Sequence, residues 1–520
     1  MADTLKRKNY YLMITVFIAG MATMSVEFAA SRLLGNVFGT SNIVWAVIIG
    51  LILVYLMLGY WIGGRLADKY PYEKTLYNVL IAAGFWIGLV PLISRPILRL
   101  ASDAFDQMQI SILLGSFLAV VLLFVVPVTL LGTASPISLK LLIDDTKTTG
   151  KVTGRFSAIS TFGGIFGTFL TVLVFIPIIG TYKTFIVISE IIVLLCLIGL
   201  LRSYGWRSTL PYLWMPIVVV LAGVLSLRGT DKGSKGVIFE TESAYNYIQV
   251  LEIDGYRYLR LNEGQGMHSV YHPDQLFYNG PWSQVLVAPL FNENMKIDRV
   301  AFIGLAAGTS ARQFAIVYPD IVMDGYEIDP DIVEVGQKYF GMTHPNLNVY
   351  IEDGRWGIAH SNKYYNVISV DAYKAPYIPA HMTTLEFFKE LANHLFSNGM
   401  LVINVGRSPL NRDLVNDLAS TVLITFPKVF IVDITDTFNT VIFASKSNNA
   451  SWELFVKNAE NIQYSNTTSL LYQAVQVTLA GRVSPPLHGR VYTDDLSLIE
   501  WVTNRIVMDY VLSGEAESLQ

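Results

Sequence analysis

The sequence predicts two different halves, a membrane-spanning α-helical bundle and a doubly wound α/β domain, and three observations support this. First, a mean hydropathy of +0.44 with 15% charged residues is too apolar for an ordinary soluble protein of 520 residues. Second, apolar runs long enough to cross a bilayer recur up to residue 228, whereas short strands alternate with helices from residue 299. Third, residues 1–228 hold 17 Lys and Arg and 9 Asp and Glu, or +8, whereas residues 229–520 hold 20 and 32, or −12.

Seven apolar runs in the first half predict seven membrane-spanning helices, because crossing a bilayer takes about 20 apolar residues. The runs lie at 10–31, 42–63, 76–93, 110–131, 156–177, 183–201 and 211–227. Glu27 and Glu190 are the ionisable residues deep inside them. Such residues can mark a site within the membrane, or they can pair with nearby hydroxyl groups.

The loop charges predict how this bundle is oriented in a plasma (inner) membrane. One set of alternate loops holds twelve Lys and Arg and the other set holds four, so the N-terminus is expected in the cytoplasm. Seven spans would then put everything after residue 228 outside the cytoplasm. Loss of one span, such as the short run at 211–227, would reverse that assignment.

The second half begins with a polar stretch, Gly229–Gly236, that indicates a linker. Three strands are predicted after it, at Val237–Glu240, Tyr245–Ile253 and Tyr256–Leu261. Asp254 and Gly255, between the last two strands, form a strong signal for a two-residue hairpin turn. We therefore expect a transmembrane domain over 1–228, a linker and β-hairpin subdomain over 229–298, and the doubly wound domain over 299–520.

From residue 299 the pattern alternates between strand and helix, which predicts a largely parallel, doubly wound sheet. The predicted strands are Arg299–Gly304, Ile321–Glu327, Asn348–Ile351, Asn366–Val370, Gly399–Val405, Val429–Ile434 and Thr440–Ala444. Helices are predicted from Thr309, Pro330 and Leu414. Ligands bind such sheets at the carboxyl ends of the strands, so candidate site residues are sought there.

Four successive strand ends carry residues suited to a nucleotide-type ligand. Gly304 and Gly308 belong to a turn of small residues that opens a helix, where the backbone can approach a ligand closely. Glu327 ends the next strand, at the usual place for a carboxylate that accepts both ribose hydroxyl groups. These two features together indicate a nucleoside pocket more strongly than either does alone.

The remaining two strand ends carry aspartates. Asp353, followed by Gly354, can meet an adenine amino group, and Asp371 faces the space where a reacting group would lie. Each acid alone is more simply explained as a helix cap or a solvated loop residue. Suggestive residues at four successive strand ends make that explanation less adequate, and the strand ends are predicted to form one site.

At these residues the chain resembles the spermidine synthase (polyamine aminopropyltransferase) family, whose Rossmann-like domain has the class I methyltransferase-like fold. The resemblance covers roughly residues 237–445. Besides the Gly-rich turn, it rests on Ser243–Val250, Tyr326–Pro330, Glu352–Arg355, Val370–Tyr373 and Thr384–Phe388. The closing Tyr492–Asp495 is similar to a tail of members that are fused to a transporter-like helical bundle.

This resemblance implies a membrane-anchored aminopropyltransferase with decarboxylated S-adenosylmethionine, or S-adenosylmethionine, as co-substrate and with no metal. The residues that it implies are Gly304, Gly308, Glu327, Asp353 and Gly354 for the donor, Asp371 and Tyr373 for catalysis, and Tyr245, Asn246 and Lys374 for the substrate. Glu327 would hold the ribose and Asp353 the adenine. Asp371 would orient an amine and help to remove its proton, and the acidic domain suits a cationic acceptor.

The chain also departs from the family. The Gly-rich loop of the family normally carries an aspartate for the donor's ammonium group, whereas Ala306 and Ala307 occupy it here. The family's second aspartate after the catalytic one is absent, and Lys374 lies in that segment and would repel a diamine. Asn246 stands where a glutamine is usual.

These departures leave several alternatives open. A methyltransferase is the nearest, and a catalytically degenerate domain that serves as a binding or assembly module of a membrane complex is the second. Transport by the bundle is the third, because Gly63–Lys69 resembles a loop signature of major-facilitator transporters, although seven helices fall short of that family's twelve.

Composition also bears on partners. The −12 charge of the second half makes nucleic-acid binding unfavourable, and the single Cys196, in a predicted span, argues against a thiolate metal site. The expected partners are a small-molecule amine and the lipid bilayer, with a homo-oligomer or a complex partner possible.

Overall fold

The computed structural model describes residues 2–38, 42–108, 112–143, 149–226, 234–262, 266–294, 296–373, 377–462, 468–485 and 488–512. These residues form two compact units, Met1–Gly233 and Ser234–Gln520, which are described separately. Residues 229–233 of the predicted linker lie outside the described ranges. The three-part domain division made from the sequence stays a prediction.

The N-terminal unit is a bundle of long apolar helices. They are α1 (Ala2–Phe38), α2 (Asn42–Lys69), α3 (Glu73–Met108), α4 (Ile112–Leu142), α5 (Thr149–Leu170), α6 (Ile176–Ile179), α7 (Thr181–Tyr204), α8 (Trp206–Thr209) and α9 (Trp214–Ser226). A π-helical turn, Thr171–Phe175, joins α5 to α6, and a 3₁₀ turn, Leu210–Tyr212, lies between α8 and α9.

Within the described residues, seven segments are long and apolar enough to cross a bilayer, which confirms the predicted class and number. They are Tyr10–Asn36, Val44–Lys69, Glu73–Leu98, Phe117–Leu142, Thr149–Ile179, Thr181–Tyr204 and Trp206–Leu225. Most are longer than the runs predicted from the sequence, because polar residues at the ends of each run continue the helix. Gly180, with φ of +81°, separates the fifth segment from the sixth.

The start of α1 and the end of α9 contact different turns of α7. Near the start of α1, the Tyr11 hydroxyl donates to the Leu195 carbonyl group, in the second half of α7. Near the end of α9, Gly223 packs against Ile186, in the first turns of α7.

The C-terminal unit begins with a small antiparallel sheet in the order β1-β2-β3-β4. Its strands are β1 (Val237–Glu242), β2 (Tyr247–Ile253), β3 (Tyr256–Leu261) and β4 (Met267–Tyr271). Asp254 and Gly255 both have positive φ, at 51° and 82°, as a two-residue hairpin turn requires. Strand β4 was not predicted, and β2 starts two residues later than predicted, so Tyr245 precedes the strand.

The main sheet has eight strands in the order β12-β10-β11-β9-β8-β5-β6-β7. These strands are β5 (Arg299–Ile303), β6 (Val322–Glu327), β7 (Leu347–Ile351), β8 (Tyr365–Val370), β9 (Leu395–Gly406), β10 (Lys428–Asp433), β11 (Asn439–Ser445) and β12 (Arg482–Val483). Strands β5 to β9 are parallel, and β10, β11 and β12 pair antiparallel at one edge. The predicted doubly wound α/β class is confirmed, with a mixed sheet.

Helices follow most of the parallel strands and cover the sheet. They are α10 (Thr309–Val317), α11 (Pro330–Tyr339), α12 (Gly354–Ala359), α13 (Leu385–Asn393), α14 (Asp413–Leu423), α15 (Trp452–Glu460), α16 (Thr468–Ala480) and α17 (Ile499–Leu512). A long 3₁₀ segment, Pro281–Phe291, is almost wholly buried before β5. Since β5 lies between β6 and β8, the ends of those three strands adjoin, and the predicted site residues were sought at that edge.

Candidate active site at the carboxyl edge of the sheet

The turn after β5 forms the centre of the candidate site. Gly304 has φ of +83°, and a Cβ atom there would lie 2.6 Å from the carbonyl oxygen of Asp371. Gly308 has φ of +84°, and its Cβ atom would meet the Met342 side chain at 2.6 Å. Only glycine fits both positions, and the turn therefore lies directly against the end of β8.

Glu327, at the end of β6, lies on one side of this turn. Its Oε2 atom accepts a hydrogen bond of 2.9 Å from the Ala306 amide, and its Oε1 atom accepts one of 3.1 Å from the Asp329 amide. The side chain is only 8% exposed, and burial raises the pKa of Glu327 to about 7. Among the described residues no Lys or Arg pairs with it, so its remaining lone pairs are available to a ligand.

Asp371, directly after β8, lies on the other side of the turn. Its backbone amide donates to the Ile303 carbonyl (2.9 Å), which ties it to the end of β5. Its Oδ1 atom accepts a hydrogen bond of 2.8 Å from Nδ2 of Asn404 on β9. Burial raises the pKa of Asp371 to about 7, and the Asn404 hydrogen bond opposes that rise. A carboxyl group with this pKa can accept or release a proton near neutral pH.

Asn404 is a candidate site residue that the sequence analysis missed. Its amide nitrogen fixes Asp371, and its buried Oδ1 atom has no hydrogen-bond partner among the described residues. The available signal was a polar residue inside an otherwise apolar strand, within Met400–Val405. That signal alone does not identify which neighbour the side chain contacts.

Tyr373 follows Asp371 and is held by the backbone of β9. Its hydroxyl group donates to the Asn404 carbonyl (3.1 Å) and accepts from the Gly406 amide (2.9 Å). Burial raises its pKa. The ring therefore joins the segment after β8 to β9, beside Asp371. Lys374, the next predicted site residue, lies outside the described residues.

Asp353 and Gly354 lie at the end of β7, one strand beyond Glu327. Asp353 caps α12, since its Oδ1 atom accepts from the Trp356 amide (3.0 Å), and its Oδ2 atom lies 3.0 Å from Nε2 of His381. The His381 contact holds the pKa of Asp353 below its usual range. Gly354 packs against Ile303, where a Cβ atom would approach to 2.5 Å.

Tyr245 and Asn246 lie in the turn before β2, and Asn246 is anchored to the main domain. Its Nδ2 atom donates to Oδ2 of Asp329 (2.8 Å), and its Oδ1 atom accepts from Asn262 (2.9 Å). Asp329 is fully buried and also accepts from Ser243 (2.6 Å). Both polar ends of the Asn246 side chain are thus bonded within the protein, and Tyr245 beside it is 44% exposed.

Asp329 is the second residue that sequence reasoning missed. It lies two residues after Glu327 and caps α11, where its Oδ1 atom accepts from the Asp331 amide (3.1 Å). An Asp immediately before Pro330 is a helix-start signal that the sequence displays. The signal predicts the cap, but it does not predict that the small sheet would bind to the same carboxylate.

Three motifs of the predicted resemblance meet at Arg355. Its guanidinium group forms two hydrogen bonds with Glu390 (2.7 and 2.8 Å) and two with Asp494 (2.8 Å each). Asp494 also accepts from the Thr384 hydroxyl group (2.7 Å). These contacts join α12, α13 and the tail segment around Tyr492. The three motifs therefore have a structural role, which is to hold these segments together. Over the described ranges, no group of three or more His, Cys, Asp or Glu could hold a metal ion.

Comparison with known proteins relates this site to a family. Residues 307–454 match the family model for the spermine/spermidine synthase domain. A probable polyamine aminopropyl transferase of Bifidobacterium longum (strain NCC 2705) is 28% identical over 313 residues, 58% of this chain and 69% of that protein. The polyamine aminopropyltransferase of Vibrio vulnificus (strain CMCP6) is 31% identical over 201 residues, 36% of this chain and 66% of that protein. The crystal structure of spermidine synthase from Thermotoga maritima aligns at 19% identity with a TM-score of 0.37, over 48% of this chain and 84% of that chain.

Proposed function

The C-terminal unit carries a spermidine synthase domain with polyamine aminopropyltransferase homologues, as its motifs predicted, and from this we propose its activity. The domain transfers an alkyl group, aminopropyl in the first instance, from an S-adenosyl-type donor to a small amine. One observation carries the proposal: Glu327 and Asp371 flank the Gly304 turn, and neither has a cationic partner among the described residues.

The reaction is a displacement at the carbon attached to the sulfonium sulfur. The lone pair of the amine nitrogen forms the new C–N bond, the C–S bond breaks, and its electron pair stays on sulfur, which becomes a thioether. The amine must first lose a proton, since an alkylamine has a pKa of about 10.4 on the lysine scale. Asp371 accepts that proton, and Asn404 orients its carboxylate.

The donor side is assigned to Glu327 and the turn. The Glu327 carboxylate accepts the ribose hydroxyl groups, and Gly304 and Gly308 leave room for the backbone to approach the nucleoside. Asp353 binds the adenine amino group while it stays paired with His381. Tyr245, Asn246 and Lys374 remain predicted contacts of the amine substrate, and the bonded state of Asn246 makes it a support for the turn that carries Tyr245.

The identity of the donor is tested by the product. Full-length protein in lipid nanodiscs is incubated with an amine and either decarboxylated S-adenosylmethionine or S-adenosylmethionine. Release of 5′-methylthioadenosine from the decarboxylated donor supports aminopropyl transfer. S-adenosylhomocysteine formed from S-adenosylmethionine would identify a methyltransferase instead. Failure to bind methylthioadenosine would leave the degenerate binding module as the better account.

We further propose that the bundle spans the plasma (inner) membrane with the N-terminus in the cytoplasm. The twelve-to-four distribution of loop Lys and Arg supports this orientation. If all seven apolar segments cross the membrane, the C-terminal unit lies on the outer side, and its donor has to be available there. Fusion of a phosphatase that is active only outside, or of a fluorescent protein that folds only inside, to the C-terminus tests this. Fluorescence without phosphatase activity would overturn the orientation and leave the transferase proposal intact.

A further inference from the structure

A cavity of about 360 Å³ lies within the N-terminal unit, between helices α1, α2, α4 and α5. This volume falls within the range of small-molecule sites, roughly 300–1,000 Å³. Gly20, Gly132 and Gly164 line the cavity and let the helices approach closely, because a Cβ atom added there would meet Ser160, Leu56 and Met24 of neighbouring helices. A Cβ atom on Gly20 would lie 2.2 Å from the Ser160 carbonyl oxygen, so α1 and α5 are in backbone contact beside the cavity.

The wall of this cavity is rich in hydroxyl groups. Thr23 and Thr168 donate to the carbonyl groups of Ala19 and Gly164 in their own helices (2.9 and 3.0 Å). Five further hydroxyl-bearing residues line the space without a hydrogen-bond partner in the described part of the chain: Tyr60, Ser135, Ser138, Ser160 and Thr161. Ser138 is buried and Ser135 and Ser160 are half-buried, whereas Tyr60 and Thr161 are exposed. A ligand in the cavity would have these hydroxyl oxygen atoms as hydrogen-bond partners.

The polarity of the wall restricts the class of that ligand. No charged residue of either sign is among the residues that line the cavity, so any preference for a charged ligand depends on a group just beyond the wall. A hydrocarbon would leave the hydroxyl groups unpaired, at a cost in free energy for each. A protonated primary amine, by contrast, donates three hydrogen bonds and is well matched to a wall of oxygen atoms.

Glu27 supplies the opposite charge. It follows Thr23 by four residues and Met24 by three, and both of those residues line the cavity, so Glu27 lies on the same face of α1 one turn further along. It is partly exposed and has no ion-pair partner among the described residues. An ionisable residue within an apolar span usually serves a site. Tyr60 and Phe156 add aromatic rings, whose faces attract cations.

We propose that this cavity binds a protonated alkylamine, with Glu27 as its counter-charge and the free hydroxyl groups as its hydrogen-bond acceptors. This second amine site belongs to the helical bundle and does not depend on catalysis by the C-terminal unit. It assigns to the bundle a binding function beyond anchoring, whether or not the transferase proposal holds.

The test uses full-length protein with Asp371→Asn in phosphatidylcholine nanodiscs, so that the C-terminal site contributes as little as possible. The probe is tritiated 1,4-diaminobutane, measured as saturable binding. Glu27→Gln should weaken binding by about ten- to a hundredfold, the value of a hydrogen bond to a charged group. Thr161→Val, which keeps the shape but removes a hydroxyl group, should weaken it by about fivefold.

Matched controls come from the same bundle. Glu190→Gln removes the other intramembrane carboxylate, on α7, and Thr129→Val removes a buried hydroxyl group that lacks a partner in the described structure; neither residue lines the cavity. Both should bind the probe as the parent does. The uncharged analogue 1,4-butanediol should not compete.

Three results would overturn the inference. They are the absence of saturable binding to the parent protein, equal competition by the diol, and equal loss in Glu27→Gln and Glu190→Gln. If Glu27→Gln does not fold, Thr161→Val against Thr129→Val decides the question. Methylthioadenosine takes no part in these measurements, so their failure is distinct from failure of the transferase proposal.

Discussion

The carboxyl edge of the main sheet holds two groups of acidic residues that differ in their burial and in their bonding partners. In the inner group, Glu327 and Asp371 flank the Gly304 turn, and burial raises each pKa to about 7. In the outer group, beyond β7, Asp353 contacts His381, and Asp494 binds Arg355. Those contacts lower the pKa of both outer aspartates.

This difference distinguishes the acidic residues of the candidate site from the acidic residues that hold the surrounding fold together. A carboxylate removed from water without a cationic partner is costly, and such groups are enriched at functional sites. A carboxylate that is bonded to a basic side chain, as Asp353 is to His381 and Asp494 is to Arg355, helps to hold the fold. The sequence placed acids at 327, 353 and 371 at successive strand ends, and the family resemblance assigned them to ribose, adenine and catalysis. In the structure, Asp353 is bonded to a basic side chain, whereas Glu327 and Asp371 have no such partner among the described residues.

Neutralising Asp371 is the strongest test of the difference between the inner and outer groups. Asp371→Asn should lower kcat by about 10²–10⁴, the usual contribution of a general base, while Asn404 keeps a partner of the same shape. Release of methylthioadenosine measures the rate. The matched control is Asp298→Asn, since Asp298 lies beside the start of β5 and is 71% exposed. Equal activity of Asp371→Asn and the parent would remove the catalytic assignment.

Glu327→Gln should act on the donor. The substitution removes a charge and one of the two acceptor oxygens that fix the turn, so methylthioadenosine should bind about ten- to a hundredfold more weakly. Isothermal titration calorimetry gives the dissociation constant. Glu334→Gln, an exposed position on α11, should have no effect. A normal affinity in Glu327→Gln would show that the ribose is held elsewhere.

The inner group also predicts a pH dependence. Asp371 has to be ionised to accept a proton, and its pKa is about 7. With the donor saturating, the value of kcat should therefore fall about tenfold for each pH unit below 7 and level off above it. Glu327, with a similar pKa, should weaken donor binding over the same range. A profile that is flat from pH 5 to 8 would contradict both raised pKa values.

The outer group predicts a change in stability with little change in chemistry. Arg355→Met removes four hydrogen bonds to Glu390 and Asp494, so the C-terminal unit should lose about 1–3 kcal/mol. Thermal unfolding measures the loss, against Lys296→Met, whose side chain is 77% exposed, as control. A large loss of donor affinity with an unchanged melting temperature would place Arg355 in the donor site. That result would contradict a purely structural role for the outer group.

Much of the fold was predictable because its signals are local. Hydropathy predicted the seven apolar helices, and the alternation of strand and helix patterns predicted every parallel strand. Both signals can be read from a short stretch of sequence. Strand β4 was missed because Met267–Tyr271 shows no clear alternation of apolar and polar residues. The segment is a strand because it pairs with β3, and a short stretch of sequence does not show that pairing. At the antiparallel edge of the sheet, β10 and β11 were predicted as strands, whereas β12 and the antiparallel direction of pairing were not.

For the candidate site, the sequence predicted which residues end the strands but not which side chains they contact. The sequence by itself determined that two halves differ in hydropathy and charge, and that acids end the parallel strands, because both properties belong to segments of the chain. The tertiary structure decided which acids are free, because their partners lie far away in the sequence. Asn404 reaches Asp371 over 33 residues, His381 reaches Asp353 over 28, and Arg355 reaches Asp494 over 139.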